Sequence, residues 1–382
     1  MPIIQDLSQI APCIYITTDN QQSTDRSKQT TDKDQPAKFV HGAYVSIPGS
    51  LEIVITFTTI WFMMLNMQNE PQLIKPNESN LPYVIGPYQE PIATVEPGET
   101  FRISTLDAFG DRIDSPNVDL MKVIQVPYVN PCTGPIFVKG AEPGDTLSVH
   151  IIDIQLPRDY AVSCIIPDFG GVCGTVLTRV LNPPLQQRVL LHQITKEGII
   201  HDRSLAIPPI PVEAFYGTIG TSPAIEAIST LSAGFHGGNM DAADVCPGNT
   251  IYLPVQVAGA LLFVGDGHAA QGDGEVSGVA AEVPTVGTLK VDLIKGRTTP
   301  TPRIENDEYV MSVGSARPLE DAARVAFYDL VTWIESDFGI ERIAAYQLAS
   351  QVAKVRLANF VDILYTIVAK FPKRYLPGFV NA

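Results

Sequence analysis

The chain has 382 residues, 45% of them hydrophobic and 18% charged, which is enough for a sizeable core in one large or two ordinary domains. Its 31 prolines and 29 glycines favour turns and short strands over long helices. A formal net charge of −15 without any Lys/Arg stripe excludes a phosphate-backbone binder, so no nucleic-acid partner is expected.

Residues 1–80 differ from the rest and read as an atypical extension, disordered or poorly packed. Gln21 to Gln35 is polar with no apolar period, the pattern of a disordered segment. Ile53 to Leu65 is uncharged but shorter than the roughly 18 residues a membrane span needs. No membrane association is therefore expected, a single hydrophobic anchor being the alternative. An extension translated from upstream of a natural start at Met67 accounts for both features.

Residues 81–316 form the β-rich body. Pro97-Gly-Glu-Thr100, Pro143-Gly-Asp-Thr146 and Pro247-Gly-Asn-Thr250 each precede a stretch that mostly alternates apolar and polar residues, the period of a half-buried strand. Pro-Gly suits a type II turn, with Gly at the positive φ. Arg188 to Gln193, Ala260 to Val264, Val276 to Glu282 and Thr288 to Leu293 read as further strands. Short strands between Gly/Pro turns indicate a sandwich or barrel. The period changes near Arg317. In Pro318 to Asp337 the residues Ala322, Val325, Ala326, Leu330, Trp333 and Ile334 have helical spacing, with Pro318 at the start and Gly339 at the stop. Ile340 to Val352 reads as a second helix and Val361 to Ala369 as a strand or a third helix, so residues 317–382 form a smaller α/β part.

Gly265 to Glu275 (GDGHAAQGDGE) places Asp266, Asp273, Glu275 and His268 directly after a buried strand. Charges leaving a core need partners, water or a cation. Carboxylate oxygen with imidazole nitrogen is a donor set that suits hard and borderline divalent cations. If the chain stays extended, Asp266 and His268 point to one side. Asp-Gly is also the commonest hairpin signal, so either Asp-Gly pair alone would mean a turn; His268 and Glu275 favour a site. His236, Asn239 and Asp241 in Gly234 to Asp241 have the same character. Asp107 ends a strand, where an Asp serves as a cap or as a functional group. Asn130 follows the ordinary Asn-Pro turn pattern. The five cysteines (Cys13, Cys132, Cys164, Cys173, Cys246) form no CxxC pair, which predicts reduced thiols in a cytoplasmic protein. Cys132 reads as a small buried hydrophobe. No GxSxG, Walker or HExxH motif is present.

The segments NPCTGPIFVKGAEPGDTL (130–147), GTIGTSP (217–223), GFHGGNMD (234–241) and GDGHAAQGDGEVSGVAAE (265–282) resemble, in order and spacing, those of the acetamidase/formamidase family. The resemblance runs from about Tyr83 to the C-terminus. It implies hydrolysis of short amides, a jelly-roll-like β-sandwich with additional β-barrel-like elements, a homo-oligomer and a divalent metal, zinc or calcium. Carried onto this chain, it makes Asp107, Asp241, Asp266, His268 and Glu275 the candidate catalytic and metal residues, with Asn130, His236 and Asn239 nearby. The chemistry of metal-assisted amide hydrolysis then has Asp241, Asp266 and His268 hold the metal, Glu275 serve as the base that takes a proton from water or as a ligand, and Asn239 or a Gly-rich backbone N–H steady the oxyanion. The chain departs from the family at Ala353-Lys354, where an acid is expected before Val355-Arg356. The alternatives are a hydrolase of another C–N bond (urea, guanidine or a larger amide), a non-catalytic β-sandwich binding protein, and a thiol hydrolase centred on Cys132.

Overall fold

The computed structural model describes residues 71–173, 181 and 183–379, together with the backbone of a hairpin formed by Gly42–Ile47 and Leu51–Thr56. The chain divides into two compact units, Met1–Glu70 and Pro71–Ala382. The polar stretch 21–35, most of the apolar run 53–65 and Met67 lie outside the described residues. The second unit begins at Pro71 rather than near 81, because Leu73–Ile74 pairs in parallel with Thr100–Thr105 at the edge of the largest sheet. Residues 317–379 belong to this same unit.

The second unit is mainly β. Its nine-stranded sheet has the order Lys354–Asn359, Tyr365–Pro372, Tyr309–Ala316, Arg303–Glu305, Thr250–Pro254, Thr146–Gln155, Thr285–Ile294, Thr100–Thr105 and Leu73–Ile74. All three strands that follow a Pro-Gly turn lie in it, and Gly98, Gly144 and Gly248 take φ of 83°, 97° and 88°, the expected positive values. A six-stranded sheet has the order Ala233–Gly234, Gly237–Asn239, Phe215–Thr221, Leu262–His268, Cys132–Val138 and Ala93–Val95. The inward residues of both sheets share one core. Phe101, Leu147, Val149, Ile151 and Leu289 of the larger sheet pack in the same cluster as Ile136, Tyr216, Ile219 and Val264 of the smaller.

The expected strand Val276 to Glu282 does not form. Glu275 and Gly278 take φ of 48° and 84°, which turns the chain, and only Glu282 makes isolated bridges, to Val162 and to His268. The apolar stretch 361–369 resolves into a turn followed by the strand Tyr365–Pro372. Among the described residues no helix is long and apolar enough to cross a membrane.

Helix Leu319–Phe338 begins after Pro318 and ends at Gly339 in the left-handed region. It buries Ala322, Ala326, Leu330, Trp333 and Ile334 against Val310, Ile367, Ala369 and Phe371. Val325, expected on that face, is 40% exposed. A second helix, Arg342–Val352, follows. Asp329 also faces inward. Its carboxylate accepts two hydrogen bonds from Arg303, at 2.9 and 2.8 Å, and one from Ser312 at 2.8 Å, which ties the helix to the sheet. Removing one partner of a buried ion pair strands the other charge, at a cost of about 3–5 kcal/mol. Asp329→Ala should therefore lower unfolding stability by about that amount in urea titration; a loss no larger than that of an exposed pair would contradict this account.

Candidate active site

Six buried side chains meet in one cluster. The register of the smaller sheet brings three of them together. Phe215–Thr221 lies between Gly237–Asn239 and Leu262–His268, with Thr218 opposite both Asn239 and Gly265. This sets Asp241, which follows one neighbour, and Asp266, which lies within the other, on either side of Gly217. A Cβ at Gly217 would stand 2.6 Å from an oxygen of each carboxylate, so only glycine leaves room for both. His268 ends its strand. Glu275 and Glu282 come from the loop that follows, and Asp362 from the turn between Lys354–Asn359 and Tyr365–Pro372. The donor atoms form three groups: Asp241, Asp266 and His268; His268, Glu275 and Glu282; and Asp241, Glu275 and Asp362. Within each group the atoms lie within 4.8 Å of one another.

The backbone is bent to achieve this. Asp241, Asp266 and Glu275 take φ of 48°, 55° and 48°, and Asn130 beside them takes 61°. Each such non-glycine residue costs on the order of 1–3 kcal/mol and persists where its surroundings over-determine it.

A network of amides orients the carboxylates. Asn239 Nδ2 donates to Asp362 at 2.9 Å and to Asp241 at 3.2 Å, while its Oδ1 accepts from Asn130 Nδ2 at 2.8 Å and from the Thr218 hydroxyl. Asn359 Nδ2 donates to Asp241 at 3.1 Å. Gln271 Nε2 donates to the carbonyls of Asp241 and Ala358, which turns its Oε1 toward His268 Nδ1 at 2.8 Å. That contact puts the imidazole proton on Nδ1 and directs Nε2 at Asp266 (3.3 Å) and Glu282 (3.2 Å).

Among the described residues none of the five carboxylates pairs with Lys or Arg. Burial, and then the charge of Glu275, raise Asp241 well above the usual carboxylate range. Burial and the charge of Asp362 raise Glu275 likewise. Burial, above all, lifts Glu282 to about 7 and Asp362 to about 6. Burial disfavours a charged His268, but Glu282 and Asp266 outweigh it and hold the imidazole well above its ordinary value. Burial also works to raise Asp266, yet His268 outweighs it and lowers this one carboxylate. Such a concentration of desolvated negative charge around one imidazole is what a divalent cation would balance, and Asp241 Oδ1 is buried without a hydrogen-bond partner.

Four of the six, Asp266, Glu275, Glu282 and Asp362, line a cavity of about 680 Å³ together with Asn130 and Asn239, while Asp241 and His268 lie behind this lining. Asn130 Oδ1 is a buried acceptor with no partner in the protein.

Of the residues read from sequence, Asp241, Asp266, His268 and Glu275 come together, and Asn239 sits among them. Both N–H groups of Asn239 are committed to carboxylates, so it positions acids and has none free for an oxyanion. Asp107 lies outside the cluster: it accepts from the backbone N–H of Phe109 and Asp111 and from Arg158, which closes a turn. Asp273 is exposed beside Arg356, and His236 joins none of the groups. Cys132 packs with Ile85 and Phe263, and burial pushes its thiol far up. Lys354 is exposed and donates to the Tyr309 hydroxyl. Glu282, Asp362, Gln271 and Asn359 were not singled out from sequence. Glu282 ends a segment that carries the family resemblance; Asp362, in an ordinary apolar context, has no local signal.

A mainly β body with a carboxylate–imidazole centre beside a cavity defines the class of protein. The chain matches the model of the acetamidase/formamidase family over residues 85–170 and 161–374, and it belongs to that family. An acetamidase structure from Yersinia enterocolitica is 43% identical, with a TM-score of 0.75 over 80% of this chain and 93% of that one. One from Bacillus halodurans is 33% identical, with a TM-score of 0.71 over 79% and 98%. A formamidase from Methylophilus methylotrophus is 30% identical over 250 residues, 53% of this chain and 61% of the formamidase, so less than two thirds of that relative is spanned.

Both ring nitrogens of His236 are buried without partners, and burial lowers its pKa from 6.5 to about 4. The unfolded chain therefore takes up a proton below about pH 6.5, whereas the folded chain refuses it until about pH 4. The stability gained by keeping this group neutral is present above pH 6.5 and lost as pH falls toward 4, by up to about 3 kcal/mol. His236→Gln should flatten that part of the stability–pH curve; an unchanged slope would show that His236 is not its source.

Proposed function

We propose that this chain hydrolyses carboxylic amides to ammonia, or an amine, and a carboxylate, with a divalent cation at the acid–histidine cluster. The observation that carries this reading is the convergence of that cluster, with His268 Nε2 directed into it, beside a cavity that four of its carboxylates line. Asp241, Asp266 and His268 are the group we assign to the cation, zinc first, since carboxylate oxygen with imidazole nitrogen suits it, and calcium second, since only the carboxylate oxygens suit that ion. When bound, such a cation polarises the amide carbonyl and makes a water more acidic.

Amides resist hydrolysis because the carbonyl is weakly electrophilic and the amine leaves poorly. Glu275 faces the cavity and offers its carboxylate within 4.8 Å of donor atoms of Asp241 and His268, close enough to act as general base on a water held there. It takes a proton from the attacking water as the water oxygen bonds to the carbonyl carbon. It returns that proton to the nitrogen as the C–N bond breaks, so the nitrogen departs neutral. Asn130 Oδ1 accepts an N–H of the substrate amide, which supplies its missing partner and orients the nitrogen. Asn239, Asn359 and Gln271 hold the acids and the imidazole in place. Glu282 and Asp362 add negative charge that favours cation binding.

Ammonia release from formamide and acetamide should vanish with a chelator and return with added metal. Activity indifferent to chelation would remove the cation from this reading, and no release from these or from longer amides by metal-replete protein would remove the amidase. Glu275→Gln should lower kcat by about 10²- to 10⁴-fold while metal content, read by elemental analysis, stays unchanged. Loss of metal in that variant would make Glu275 a ligand instead of the base.

A further inference from the structure

We infer that the preferred substrate is an amide bearing an apolar group larger than the methyl of acetamide, rather than formamide or acetamide. The inference rests on the amidase reading and concerns the part of the cavity which that chemistry leaves unused. The volume of about 680 Å³ falls in the range of sites that enclose drug-sized ligands. At roughly 30 Å³ per water it would hold about twenty waters, of which formamide or acetamide would displace only a few.

The cavity lining combines the carboxylates and asparagines of the cluster with many apolar side chains, among them Phe109, Val129, Phe169, Leu231, Val279 and Ile363. Phe109, Val129 and Val279 are buried, so these walls are built into the protein. Water against such walls gains little, whereas each methylene placed there is taken out of water. A site evolved only for the smallest amides has no use for so much apolar lining beside its polar groups. The apolar group is attached either to the acyl carbon or to the departing nitrogen; both place the same chemistry against the same walls.

The test is kcat/KM of the metal-replete protein for primary amides from formamide to octanamide, with N-butylformamide and N-butylacetamide as a second series. The expected result is a rise of roughly 3- to 4-fold per methylene beyond acetamide until the cavity fills, about 100-fold by hexanamide. A rise in the first series places the apolar group on the acyl side, and a rise only in the second places it on the nitrogen. A flat or falling profile in both, with formamide still hydrolysed, overturns this inference and leaves the amidase reading intact. No turnover of any amide overturns both.

Leu231→Trp, which fills the apolar part, should bring the hexanamide-to-acetamide ratio down at least tenfold. Leu231→Phe is a smaller intrusion that reports the same trend should the Trp variant fail to fold. An unchanged ratio in folded variants would show that the substrate does not lie against this wall.

Discussion

The constraint on which the site depends is desolvated negative charge. Five carboxylates are buried around a single imidazole, and among the described residues no Lys or Arg pairs with any of these five groups, Arg158 and Arg317 reaching only the backbone carbonyls of Glu282 and Asp362. An unpaired buried charge costs several kcal/mol. A hydrogen bond to a charged group returns about 1.5–3 kcal/mol. The amides of Asn239, Asn359 and Gln271 therefore offset part of the penalty but not all of it. What remains is partly relieved by protons, seen in the raised values of Asp241, Glu275, Glu282 and Asp362. The proposed cation would relieve it more completely, and the local distortions then have one purpose. The left-handed backbone at Asp241, Asp266 and Glu275 and the missing side chain at Gly217 are tolerated because together they bring carboxylates closer than an undistorted sheet would.

Much of this was legible in the sequence, for identifiable reasons. Asp266 and His268 are close in the chain and on one strand, so their convergence follows from strand periodicity and survives even the positive φ at Asp266. The late helix was legible because its apolar spacing and its two stops agree. Glu282 was hidden because the segment before it alternates like a strand, and two residues with positive φ override that pattern. Asp362 was hidden more deeply. It reaches Asn239 only because the register of the Lys354–Asn359 and Tyr365–Pro372 strands returns their connecting turn to the smaller sheet. Such register is a tertiary fact with no local sequence signal. Asp107 stands apart from the cluster: a strand-end aspartate has the same appearance in sequence whether it binds a ligand or closes a turn, and here its oxygens accept from Phe109, Asp111 and Arg158.

The site divides its parts between rigid and irregular backbone. Asp266 and His268 are held by strand pairing, and Asp241 follows directly on a paired strand, which suits groups that must keep a fixed mutual geometry. Glu275 comes from the loop that also supplies Gly278 and Val279 to the cavity wall. One segment thus carries both the proposed base and part of the proposed apolar pocket. A substitution that reshapes the wall within this loop would also move Glu275 relative to the strand-held cluster. The wall at Leu231 belongs to another segment, whereas Phe109 packs in one cluster with Val279 and so touches the same loop. A change of amide preference that leaves the rate intact is therefore expected at Leu231 sooner than at Phe109 or within the 275–282 loop.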